Sequence, residues 1–393
     1  MSMNANSSPL PSLTISPPRC AQPPASHSRT SLSQSSLSRA RRAHSRLLAL
    51  AAAIFLAPAL ILPGADCTAQ ARAQTRAQMP TADIAAIDRT LGGNAPAFHA
   101  LQQGRVEDAT ALLRSTLAAN PGDATAHQLL CRVFYAQDQA DEAIRQCELA
   151  AASTTASPEQ ASDNQLWLGR AYGMKARHAG PIAGFTLARK VQASFARAVD
   201  LNPANLAALN DLGEYYVAAP SIVGGGADKA QAFAARMMPR FPAAAHRLLA
   251  RLAESDKDLP TAESQFKQAV AVDKAPEAWI DLAQFYQTHS RPDDALAAIK
   301  AGLAVDRIHG PELVDAASIL TAAHRAPDLA ERCLRDYLAS RAISDVAPAF
   351  KVHLQLGRLL AARGDSQDAT REAAAAAALA PAFARGARPA QSL

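Results

Sequence analysis

Aromatic residues are scarce, only 5% of 393 positions, with two Trp among them. Rings bring the most buried area per residue, so this core has to be built mainly from Leu, Ala and Val. Cysteine is scarce as well. The five present include no CxxC pair and no Cys/His spacing of metal-binding type, which removes zinc ribbons and thioredoxin-like redox chemistry from consideration. Catalytic signatures are missing too. The ten His are scattered, none in HExxH and none beside a Ser or Cys nucleophile signature. Gly224, Gly225 and Gly226 precede Asp228 and Lys229, but the stretch lacks the GxxxxGK[ST] spacing of a phosphate loop and reads as a flexible turn. These absences argue against an enzyme, and no cofactor or metal site is expected.

The body of the chain also lacks excess charge. Residues 1–71 hold Arg19, Arg29, Arg39, Arg41, Arg42 and Arg46, no Lys and a single acid, Asp66, which accounts for the whole formal net charge of +5. A neutral remainder does not carry the electrostatic footprint of a nucleic-acid binder. The basic leader belongs instead to an export signal, because it precedes an uncharged run, LLALAAAIFLAPALILPGA, at residues 47–65. Small residues at Ala69, Ala71 and Ala73 suit a cleavage site, while 19 apolar positions are also enough to span a bilayer. Cleavage and a retained anchor both stay open; either places the following residues outside the cytoplasm, periplasmic in a bacterium. Residues 1–46, rich in Ser, Pro and Arg, read as disordered, 47–71 as the signal region, 72–89 as a linker with a short helix, and 383–393 as a disordered tail.

What the chain does have is a period. Residues 276–306, PEAWIDLAQFYQTHSRPDDALAAIKAGLAVD, place Trp279, Leu282, Ala283 and Tyr286 at i, i+3, i+4, i+7, one face of a helix. THSRPDD breaks that pattern. Pro292 suits the first turn of a second helix, and Asp293 and Asp294 meet its positive N-terminal dipole. Ala295, Ile299 and Leu303 share a face of that helix, with Ala295 small enough to admit a close neighbour. Two such helices bury too little alone and need copies on either side. The small residue recurs at Ala109, Ala143, Ala230, Ala262, Ala295, Ala330 and Ala369, close to every 34 positions where no extra loop intervenes. LGRAY begins at Leu168 and LGEYY at Leu212, and Pro121, Pro203, Pro242 and Pro381 close units.

This joint recurrence of LGxxY, Ala and Pro resembles the tetratricopeptide repeat family over about three quarters of the chain, residues 90–382. The resemblance implies an all-α fold, a right-handed superhelical solenoid of antiparallel helix pairs. Eight units would begin near residues 90, 124, 162, 206, 243, 276, 311 and 350. It also implies a protein or peptide partner in a concave groove lined by first helices. On this chain the groove would present Gln128, Arg132, Trp167, Arg170 and Asn210, followed by Glu214, Asp281, Gln284, Gln355 and Arg358.

Departures from the period are where specific function is expected. About ten extra residues fall in the third unit, within GMKARHAGPIAGFTLARK, and about five in the fourth, within AAPSIVGGGADKA. Both lie between first and second helices, so they would emerge side by side on one edge. That edge would carry Lys175, Arg177 and His178 from one insert and Gly224, Gly225 and Gly226 from the other. Two readings of the cysteines also stay open. Cys131 and Cys147 sit on facing helices of one unit, either bridged or as two buried thiols. The expectation is an exported scaffold for protein interactions in the cell envelope. The alternative is small-ligand capture, since YYVAAPSIVGGGADKA looks like a stretch in exported bacterial repeat proteins, some of them associated with periplasmic substrate-uptake systems.

Overall fold

The structure is a computed structural model that describes residues 84–386. The basic leader, the apolar run, its cleavage site and most of the linker lie outside the described residues. Helix α1 (Ile84–Leu91) passes through a 3-10 turn (Gly92–Asn94) into sixteen helices packed as eight sequential pairs. The first four pairs are α2 (Ala95–Gln102) with α3 (Val106–Ala119), α4 (Ala124–Ala136) with α5 (Ala140–Ala151), α6 (Pro158–Ala176) with α7 (Pro181–Leu201), and α8 (Leu206–Ala218) with α9 (Ala227–Met237). The last four are α10 (Pro242–Ser255) with α11 (Leu259–Asp273), α12 (Pro276–Thr288) with α13 (Pro292–Val305), α14 (Glu312–Ala322) with α15 (Pro327–Ala339), and α16 (Ala349–Ala362) with α17 (Ser366–Leu379). The fold is an all-α repeat array. Among the described residues no helix is long and apolar enough to cross a membrane.

Local chemistry explains the punctuation. Pro occupies the first turn of α6, α7, α10, α12, α13 and α15, where its missing N–H costs no hydrogen bond. The side chains of Asp123, Ser157, Asn205 and Asp258 accept from backbone N–H groups at the starts of α4, α6, α8 and α11. Within units, six of the eight turns share one device. The N–H five residues on bonds back to a carbonyl near the end of the first helix, at 2.8–3.0 Å, in Arg105 to Ala100, Gln139 to Phe134, Asp258 to Ala253, Arg291 to Tyr286, Arg325 to Leu320 and Asp365 to Leu360. The residue before each donor has positive φ: Gly104, Asp138, Lys257, Ser290, His324 and Gly364.

Packing explains the motif. Ala109, Ala143, Ala230, Ala262, Ala295 and Ala330 are fully or almost fully buried where the two helices of a unit cross. A Cβ at Gly169 would stand 2.5 Å from the Phe195 ring, and one at Gly213 2.9 Å from Leu248, so the Gly of LGxxY sets how closely helices approach. The motif tyrosine reaches back one unit. Tyr172 donates to Glu148 at 2.6 Å and Tyr286 to Glu263 at 2.9 Å.

Two expectations change here. The extra residues of the third unit are not a long connector: they lengthen α6 to 19 residues and α7 to 21, leaving only residues 177–180 between them. The first helix ends at Ala176, the second restarts at Pro181 behind its cap Gly180, and nothing after Pro181 breaks it. The expected tail also begins in helix, because α18 (Pro381–Gly386) continues the array and Phe383 packs its ring on Phe350 with centroids 5.0 Å apart.

The array turns far enough that its last unit meets its first two. Phe350 shares a buried cluster with Ala97, Leu101 and Val133. Lys351 donates to Asp138 at 2.8 Å, and the Ala382 N–H to Glu107 at 3.1 Å. The 340–348 connection between α15 and α16 enters the same junction, shaped by Tyr337, whose hydroxyl donates to the Ala347 carbonyl at 2.7 Å.

Candidate functional site

The first helices carry a ladder of arginines and carboxylates. Arg170 on α6 bonds Asp211 on α8 at 2.7 Å, both buried, and Arg247 on α10 pairs with Asp281 on α12 in the same way. Arg251 adds a second contact to Asp281 at 3.7 Å. At the start of the ladder, Arg132 grips Asp345 of the 340–348 connection through two bonds of 2.8 Å, and Gln102 donates to the same carboxylate at 2.7 Å. Burial works to raise the Asp345 pKa, but Arg132 and these hydrogen bonds prevail and hold it below the ordinary value. Two cations lie against Trp167, with the Arg132 and Arg170 guanidinium carbons 4.9 and 4.8 Å from its ring centre.

The groove residues expected from the sequence therefore divide. Arg132, Arg170 and Asp281 spend their charge on partners within the chain. Gln128, Trp167 and Asn210 are buried. Gln355 donates to Ser318 at 2.9 Å and Gln284 to Thr288 at 3.1 Å, whereas Arg358 is exposed. Glu214 is recessed between α8 and α10, and loss of water pushes its carboxyl up to about 7 despite the nearby Arg251. The groove thus comes with most of its charge already neutralised. Sequence reasoning placed Asp281 in the groove but missed Asp211 and the pairing of both acids with arginines. Asp211 and Asp281 stand immediately before the Leu of DLG and DLA, a repeated signal that was there to be read. Asp345 carried none, since its partners are 213 and 243 positions away.

The two inserts are brought together. The Tyr215 hydroxyl lies 2.9 Å from the Ala188 carbonyl of one and 2.8 Å from the Val223 carbonyl of the other. Ala188, Ala219 and Val223 form a small buried cluster beneath. Gly224, Gly225 and Gly226 follow a 3-10 turn (Ser221–Val223), and Gly225 packs so tightly that an added Cβ would lie 1.9 Å from the Ala219 oxygen. The fourth unit thus uses glycine for close approach; no phosphate cradle forms, and Lys229 donates to the Gly224 carbonyl at 2.9 Å. Lys175, Arg177 and His178 are exposed at the end of α6 and just beyond it, Lys175 pairing with Asp141. On the same two inserts three apolar side chains face solvent: Ile182 at 88%, Ile222 at 70% and Phe185 at 39% exposure. Nothing in the residue pattern singles them out, because each looks like an ordinary core residue.

Cys131 and Cys147 form a disulfide that joins α4 to α5, with Cα atoms 5.2 Å apart. Cys333 is free and buried.

Comparison with known protein families agrees with this geometry. Residues 100–162, which cover parts of the first three units, match the tetratricopeptide repeat model. That stretch carries tetratricopeptide repeats. No curated protein matches it. Among solved structures it is similar to a thermophilic TPR protein of Thermus thermophilus, with 21% identity over 62% of this chain and 99% of that one, at a TM-score of 0.34. It is also similar to the C-terminal part of a TPR repeat-containing protein from Cytophaga hutchinsonii, with 14% identity over 63% and 95% of the two chains, at a TM-score of 0.35. Tetratricopeptide repeats generally serve as scaffolds for protein–protein interaction, and the family is typically non-catalytic.

Proposed function

We propose that the chain is an exported scaffold of the cell envelope that holds a polypeptide partner against its insert edge. One observation carries this reading. Tyr215 ties two inserts together, and the joined segments expose the apolar Ile182, Phe185 and Ile222 as well as the basic Lys175, Arg177 and Lys190. Apolar side chains grouped on a surface and rimmed by charge are a mark of interaction sites. The basic rim suits a partner segment with acidic and apolar residues. The groove is the weaker surface for this task, because Asp345 and the arginine–aspartate ladder already satisfy its cations.

Export is supported by the basic leader with its apolar run and by the Cys131–Cys147 disulfide, which suits an oxidising compartment. The test combines fractionation with in-cell crosslinking of the tagged chain. A discrete envelope polypeptide should be captured by the wild type and lost from Ile182→Asp/Ile222→Asp. Retention of that partner by the double variant would remove the insert edge from the reading, and recovery of the chain in the cytoplasm with free thiols would remove export.

A further inference from the structure

A cavity of about 510 Å³ opens at the other edge of the array, over the loops that join the fourth to the seventh units. Three buried carboxylates line it. Glu277 is in the first turn of α12 and only 7% exposed, and its Oε2 has no hydrogen-bond partner. Asp306, equally buried, accepts from the N–H groups of Ile308 and His309 through Oδ1 at 2.9 and 3.0 Å, which leaves Oδ2 without a partner. Glu312 begins α14 at 8% exposure, packed so closely over Gly310 that a Cβ there would be 2.3 Å from its Oε2. Around these acids the rim is apolar: Val272, Val305 and Ile308 are 50%, 37% and 46% exposed, next to Phe241 and Pro311.

Buried carboxylate oxygens without partners are costly, and a protein retains them at a net loss unless something fills the site. A metal ion does not fit, because among the described residues no group of three acidic, His or Cys side chains is placed to hold one. The arrangement instead suits a cation larger than a bare ion, with an apolar body. We propose that this cavity binds a primary alkylammonium group, its aliphatic stem along Val272, Val305 and Ile308 and its charge among Glu277, Asp306 and Glu312. The ammonium brings three donors to a site where Glu277 Oε2 and Asp306 Oδ2 have none. Its source is a lysine side chain of a polypeptide or a free aliphatic amine.

The electrostatics agree. Loss of water pushes Glu277 up to about 7, and loss of water together with the neighbouring Glu277 pushes Glu312 well above the carboxylate range. A bound cation offsets both effects. The other charges facing these groups are Arg247, Asp273 and Asp281 around Glu277, and Asp315 beside Glu312. Arg240 and Arg307 also line the cavity, both with exposed side chains.

This site is on a different edge from the inserts and stands whether or not they bind a partner. Three probes test it by calorimetry at about pH 8, above the Glu277 value: Nα-acetyl-lysine methylamide, 1,4-diaminobutane, and Nα-acetyl-norleucine methylamide, which has the stem without the charge. At least one amine should bind about tenfold or more tightly than the norleucine compound, and Glu277→Gln/Glu312→Gln should abolish that margin. Both substitutions keep shape and remove a buried charge, so the variant should hold its helicity with a denaturation midpoint no lower than that of the wild type, and lost binding is then not lost folding. Binding of the lysine compound alone assigns the source to a polypeptide side chain, and of diaminobutane alone to a free amine. Equal binding of the norleucine compound, no binding of either amine at millimolar concentration, or unchanged binding by the double variant overturns the proposal. Ile182→Asp/Ile222→Asp should bind the amines as the wild type does.

Discussion

The two edges of the repeat array solve opposite problems. At the edge where a first helix hands over to a second, six turns use one positive-φ residue and one hydrogen bond between the helix end and the N–H five residues on. The turn closes on local backbone bonds, so it can be copied from unit to unit, and the two units that abandon it are those with inserts. At the opposite edge, where one unit passes to the next, the joints are individual. They bury carboxylates at Glu277, Asp306 and Glu312, and Asp345 in the 340–348 connection reaches across to Arg132. Local closure gives repetition, and long-range charge gives each joint its own character.

The largest break in this comparison is expected from Asp345→Ala. The arginine–carboxylate pair is buried on the acid's side, and removing one partner leaves Arg132 as an uncompensated cation, a loss of about 3 kcal/mol or more. The loss should concentrate where the last unit meets the first two. Trypsin should therefore cut after Arg341 much faster in the variant, with a lower denaturation midpoint. Unchanged cleavage would mean that apolar contacts around Phe350 hold the junction without the pair.

Within the turn edge, Gly225→Ala against Gly364→Ala separates close approach from backbone preference. At Gly225 the new Cβ meets the Ala219 oxygen at 1.9 Å, so the insert has to shift, at a cost of about 2–3 kcal/mol. Gly364 has φ of +88° and nothing within 4 Å, so only the left-handed strain is incurred, about 1 kcal/mol. Equal midpoints for the two variants in chemical denaturation would show that the insert gives way freely.

How much of this was legible depended on distance along the chain. The helix pairs could be read because Ala295 and its counterparts, together with LGxxY, act within one unit and between neighbours. The turn device was half visible. Gly104 and Gly364 announce it, but Asp138, Lys257, Ser290 and His324 take the same conformation without a residue that advertises it. Groove residues looked available because a charge is legible and its partner is not: Arg170 meets Asp211 41 positions on. The loop-edge acids were illegible for another reason. Pro158-Glu159, Pro276-Glu277 and Pro311-Glu312 look alike as helix starts, yet Glu159 is exposed, its pKa lowered by its own helix backbone and Ser157, while Glu277 and Glu312 are buried and raised. Burial decided the chemistry, and burial came from the neighbouring units.

That difference gives a pH signature for the loop edge. Glu277 has a folded-state value of about 7 against an ordinary 4.5, so between those limits the folded chain holds a proton that the unfolded chain releases. Stability from this group is complete below about pH 4.5 and declines as pH rises through 7, then stays level. Glu214 acts in the same direction over the same window, whereas Glu263, held down at about 2 first by its bond from Arg291, acts in reverse and only below pH 4.5. Wild-type protein without ligand should therefore lose about 1–2 kcal/mol per buried acid between pH 5 and 8. Glu277→Gln should flatten part of that slope and raise the midpoint at pH 8, while Glu159→Gln should leave the slope as it is. A flat wild-type profile would mean that a cation already neutralises the loop edge, and acid dialysis before the measurement should then restore the slope.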